Sequence, residues 1–100
     1  MSANVLNIIA IIKAKAGKES ETKHALQSIV GPTRAETGCI DFDLYQATDD
    51  KSTFMFYENW TNREVLNAHM QTTHIKAFGQ KAGDLLAEPI KATFWEKVNI

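Results

Sequence analysis

A chain of 100 residues has room for one hydrophobic core and not two, so residues 1–100 are expected to form a single domain. With 44% hydrophobic and 23% charged residues, no low-complexity block and a formal net charge of −1, it has neither the composition of a disordered chain nor the clustered positive stripe that nucleic acid requires. Cys39 is the only cysteine, which excludes an intrachain disulfide and fits a reducing, cytoplasmic setting. The apolar run 5–12 is too short to span a bilayer and has no basic leader or cleavage site, so neither a membrane segment nor a signal peptide is expected.

Residues 5–13 read as a strand that is apolar on both parities, with Leu6, Ile8 and Ile12 on one and Val5, Ile9 and Ile11 on the other. Such a strand must be covered on both faces. Ala16-Gly17-Lys18 forms a turn, and residues 18–36 then carry Ala25, Leu26, Ile29 and Val30 at helical spacing, with Glu19 and Glu21 near the positive end of the helix dipole. Gly31-Pro32 is expected to kink or divide this helix, and Gly38 to stop it.

Residues 39–47 alternate, with Ile40, Phe42 and Leu44 against Asp41, Asp43 and Tyr45, as in a half-buried strand. A hairpin connection at 48–52 leads into a returning strand, 53–60. Phe54, Phe56, Glu58 and Trp60 share one of its faces, and Met55, Tyr57 and Asn59 the other, so one carboxylate sits inside an aromatic row. Thr61-x-x-Glu64 reads as a capping box that starts a short helix, on which Val65, Leu66 and His69 share one side. Residues 71–73 break it. A further helix over 73–86 carries the stripe Ile75, Phe78, Gly79, Ala82, Leu85 and Leu86, and Glu88-Pro89 ends it before a last strand, 90–99.

This order is the split βαβ pattern of an α+β, ferredoxin-like fold: a four-stranded antiparallel sheet with all helices on one face. The other face would carry Ile9, Ile11, Tyr45, Met55, Tyr57 and Trp95, a larger apolar patch than monomers usually expose. A homodimer with two sheets packed face to face is expected.

Glu58-Asn59-Trp60 followed by Ala68-His69-x-Gln71-Thr72-x-His74-x-Lys76-Ala77 resembles the antibiotic biosynthesis monooxygenase family of small dimeric α/β-barrel proteins, and within it the bacterial quinol monooxygenases. Ala16-Gly17-Lys18, Arg34-x-Glu36-x-Gly38-Cys39 and Ala87-Glu88-Pro89 extend the likeness over almost the whole chain, although Thr73 stands where relatives often have proline. The resemblance implies oxygenation of a quinol or polycyclic phenol by O2 with no metal, haem or flavin. The same family contains isomerases of small sugar-like phosphates. Its haem-degrading branch uses an asparagine in the first strand and a histidine in the last helix, where this chain has Ala10 and Phe78 or Gly79.

Dioxygen reacts slowly with closed-shell organics, so a cofactor-free oxygenase needs a base to make its substrate electron-rich. Glu58 in an aromatic row has its charged form disfavoured, and His69 is the candidate base, with Glu58 orienting it. Trp60 and Phe56 are candidate walls against an aromatic ring, with Phe42 and Phe78 as further substrate contacts. Arg34 is the candidate cation at the cavity mouth, and His74 a candidate anion contact at a helix start. Each has a structural counterpart: a strand-end acid held by local hydrogen bonds for Glu58, a half-buried helix residue for His69, core packing for Trp60, solvated surface for Arg34 and His74. A metal site built from Glu58, His69 and His74 is disfavoured, because the two histidines lie five apart across a helix break and not on one helical face.

Overall fold

The computed structural model describes residues 5–100. Strand β1 (Leu6–Lys13) leads into helix α1 (Glu19–Arg34), strands β2 (Cys39–Gln46) and β3 (Thr53–Trp60) follow, and helices α2 (Arg63–His69) and α3 (Thr73–Leu85) precede strand β4 (Lys91–Trp95). The sheet order is β2-β3-β1-β4 with every neighbouring pair antiparallel, which is the ferredoxin-like arrangement; the four strands form an open sheet and not a closed barrel.

Register places the core. Ile8 stands opposite Glu58, Ala10 opposite Phe56 and Ile12 opposite Phe54, while Phe42 pairs with Glu58 from the other side. These side chains therefore share the inner face of the sheet, where Leu26 and Ile29 of α1 and Phe78 and Leu85 of α3 join them. The β2–β3 hairpin is pinned by Asp50, whose carboxylate accepts from the Ser52 amide and hydroxyl, the Thr53 hydroxyl and the Lys13 ammonium. Together they hold its carboxyl far below the usual carboxylate range.

Several expectations are corrected in detail. Helix α1 runs unbroken through Gly31-Pro32: Pro32 and Ser28 are both exposed, so the carbonyl that loses its partner four residues back remains open to water. It ends at Arg34, earlier than expected, and Gly38, at φ +85°, turns the chain into β2 without capping the helix. In β2, Cys39 pairs with Trp60 and Asp41 with Asn59, a bulge that throws Ile40 outward to 50% exposure and separates it from Phe42. Helix α2 is capped by Asn62, whose side chain accepts from the Val65 amide, not by a Thr61 capping box. Strand β4 is five residues long and not ten, since its Trp95 already reaches Asn7 and β1 begins one residue earlier, at Leu6.

Among the described residues no helix is long and apolar enough to cross a membrane. The outer face carries Tyr45 at 51% and Trp95 at 59% exposure, with Tyr57 also exposed and Ile9, Ile11 and Met55 half-buried.

Candidate functional site

A cavity of about 390 Å³ lies between the inner face of the sheet and helices α2 and α3. Phe42, Phe56 and Phe78 line it with Ile8, Ala10 and Leu66, and four polar side chains enter it: Glu58, Arg63, Asn67 and His69. An apolar chamber with a few convergent polar groups is what a planar organic ligand requires. A more voluminous groove between α1 and α3, about 620 Å³, is lined mainly by solvated chains such as Glu21, His24, Lys81 and Asp84, and none of the candidate residues enters it.

Local chemistry puts His69 there. The Asn62 cap fixes the start of α2, so Leu66 and His69, three apart, face the sheet. Thr72 then closes one helix and opens the next: its hydroxyl donates to the His69 carbonyl at 2.8 Å and accepts from the Ile75 amide. This tight junction turns His69 and His74 toward a single acceptor. His69 Nδ1 lies 2.8 Å and His74 Nε2 2.7 Å from the same carboxylate oxygen, Glu36 Oε2. An ionised carboxylate offers only lone pairs, so both rings donate to it. His69 thereby keeps its lone pair on Nε2. Among the described residues that atom has no hydrogen-bond partner, and the ring that carries it lines the cavity.

The sequence reading expected Glu58 to orient His69; both line the chamber, but they share no hydrogen bond. Glu58 instead accepts from Trp60 Nε1 at 2.9 Å, and the acid that orients His69 is Glu36. Burial pushes the Glu58 carboxyl above its ordinary 4.5, with the Glu36 charge adding to the rise and the Trp60 N–H opposing it. The neutral acid is thus favoured in the fold, and the stability associated with it is complete below the ordinary carboxylate pKa and lost as pH climbs through the raised value. Glu58→Gln keeps an acceptor for Trp60 and removes the charge. Thermal melts are expected to place the variant above the parent protein at pH 8, with the gap narrowing toward pH 4; a gap independent of pH would show that the carboxyl is not shifted.

Three further candidates take other roles. Trp60 is fully buried and does not line the cavity; it packs behind His69, with ring centroids 4.6 Å apart, and edge-on to Phe42. Arg34 faces away from the chamber and clasps β2, donating to the Phe42 carbonyl at 3.0 Å and to Asp43 Oδ1 at 2.8 Å. The cation at the cavity is Arg63, stacked over the Phe94 ring at 4.7 Å. His74 reaches Glu36 and not the cavity. Asn59 sits on the opposite face, where its side chain is held by Asn7 and Asp41.

Glu36 and Arg63 escaped the sequence reading. A signal existed for Glu36, because an acid just beyond the negative end of a helix dipole is unfavourable unless another group engages it.

The family model that matches the chain, over residues 6–81, is that of the antibiotic biosynthesis monooxygenases. YcnE of Bacillus subtilis, named as a candidate monooxygenase, is 33% identical over 81 residues, covering 81% of this chain and 85% of its own. The uncharacterised protein sll1783 of Synechocystis is 35% identical over 85 residues, covering 85% of this chain, which spans only 58% of that relative. The crystal structure of PA3566 from Pseudomonas aeruginosa superposes with a TM-score of 0.94 at 29% identity, covering 99% of each chain.

Proposed function

Because the chain belongs to the antibiotic biosynthesis monooxygenase family, we propose that it is a cofactor-independent monooxygenase that oxidises a quinol or polycyclic phenol with O2. The observation that carries this reading is the His69 ring, held at Nδ1 by Glu36 and lining an apolar chamber that the buried acid Glu58 also lines.

His69 takes the phenolic proton, and Arg63 at the chamber wall stabilises the phenolate. The electron-rich ring passes an electron to O2, and the resulting radical pair joins through a new C–O bond. The His69 imidazolium returns the phenolic proton to the outer oxygen of the peroxide. The O–O bond then breaks as the ring carbon gives its proton to the Glu58 carboxylate and becomes a carbonyl, and the departing hydroxide takes that proton from Glu58 and leaves as water, so one oxygen atom enters the ring and the other is reduced. Phe42 and Phe56, stacked with centroids 4.3 Å apart, form the flat wall for the ring, and Phe78 contributes from α3.

The isomerase reading placed Arg34 and His74 at the substrate, and neither side chain enters the cavity. The exposed outer face supports a homodimer, in which two open sheets meet face to face and complete a barrel. An oxygen electrode charged with a panel of quinols tests the enzyme: uptake that persists with a chelator and stops in His69→Ala supports it. Quinol binding by tryptophan quenching with no uptake would instead leave a non-catalytic binding protein. Sedimentation equilibrium on the same samples should give the mass of two 11.2 kDa chains.

A further inference from the structure

One donor atom each of Glu36, His69 and His74 lies within 4.8 Å of the others, and His69 Nδ1 and His74 Nε2 are the nitrogens that meet Glu36 Oε2. They come from the turn after α1, the last residue of α2 and the second residue of α3, so Glu36 meets two histidines 33 and 38 positions further along the chain. Their spacing across the helix break is what seemed to preclude a shared ligand. The Thr72 junction removes that objection by turning both rings to one side.

We infer that these three side chains form a binding site for a divalent late first-row metal ion, with Zn2+ as the best match. Two imidazoles and one carboxylate are a donor set zinc accepts, at roughly 2.0–2.2 Å from each atom, with an open fourth position for water. His74 is the most exposed of the three and Glu36 is partly exposed, so solvent reaches the group from that side. Among the described residues Glu36 has no lysine or arginine partner; its two ion pairs are the imidazoles themselves. A cation entering from that side meets a carboxylate already held between two imidazoles.

Binding relocates protons without losing them: each ring gives its nitrogen lone pair to the metal and carries its one N–H on the other nitrogen. His69 then presents Nε2–H to the cavity in place of a lone pair. On the oxygenase reading, and only on it, zinc is therefore an inhibitor that removes the base.

The test is made on metal-free protein without substrate, so its outcome is independent of the oxygenase assay. Calorimetric titration with Zn2+ should show one ion per chain, bound at least about tenfold more tightly than by His74→Ala or Glu36→Gln. Long-range proton–nitrogen spectra of the unmutated protein should place the metal on His69 Nδ1 and His74 Nε2, and this reading stands even if a variant fails to fold. Absence of binding at micromolar zinc, binding equally tight in folded His74→Ala and Glu36→Gln, or rings that keep those two N–H groups while zinc is bound would each overturn the proposal.

Discussion

Replacing His69 by alanine is expected to lower quinol-dependent oxygen uptake by about 10²–10⁴-fold, the usual contribution of a positioned general base. The ring is 4% exposed and wedged between Phe42 and Trp60, so its orientation is set by packing as well as by Glu36. Glu36→Gln should act in the same direction through a different cause. A glutamine can offer its N–H to the ring, which favours the tautomer with the proton on Nε2 and the lone pair turned away from the cavity. The loss should fall on kcat more than on KM, because Glu36 is absent from the chamber lining. Added imidazole should restore part of the His69→Ala rate by occupying the vacated space, and should do nothing for Glu36→Gln. Equal rates in all three proteins would remove His69 from the chemistry.

The sequence made β3 legible because Phe54, Phe56, Glu58 and Trp60 alternate without interruption and all four are buried on one face. The apolar positions of α1 and α3 were likewise readable, since Leu26, Ile29, Phe78 and Leu85 follow the helical period. Where a single residue changes the phase, periodicity misleads: the bulge at Cys39/Asp41 sends Ile40 outward although it alternates with Phe42 and Leu44. The site was half legible for a related reason. The aromatic wall and His69 come from local pattern, but the carboxylate that His69 contacts comes from a turn 33 residues earlier, and no local spacing encodes that contact. Arg34 and Arg63 show the same limit. Arg34 was the candidate cation and Arg63 was not read as one, yet the β2 carbonyl and carboxylate hold Arg34 and it is Arg63 that lines the cavity.

Gly38→Ala is expected to be the most damaging single-methyl change in the fold. At φ +85° the residue occupies the left-handed region, where a side chain costs about 1–2 kcal/mol. A Cβ built there would also lie 2.7 Å from both methyls of Val65 and 2.8 Å from Thr61 Oγ1. Val65 is β-branched and cannot swing aside freely, so crowding adds about 1–3 kcal/mol. The sum, about 2–5 kcal/mol, corresponds to a fall in melting temperature on the order of 10–30 °C for a chain of this size. Gly17→Ala is the matched control: its φ is +86° but nothing lies within 4 Å of the new carbon, so only the backbone cost should appear. The consequence extends beyond stability. The Gly38 carbonyl accepts from the Thr61 amide, and the Glu36 carbonyl from the Cys39 amide, so the same turn ties the start of α2 to the residue that holds both imidazoles. Gly38→Ala should therefore lose activity at temperatures where it is still folded, whereas Gly17→Ala should not; comparable melting temperatures and rates for the two variants would break the link between this turn and the site.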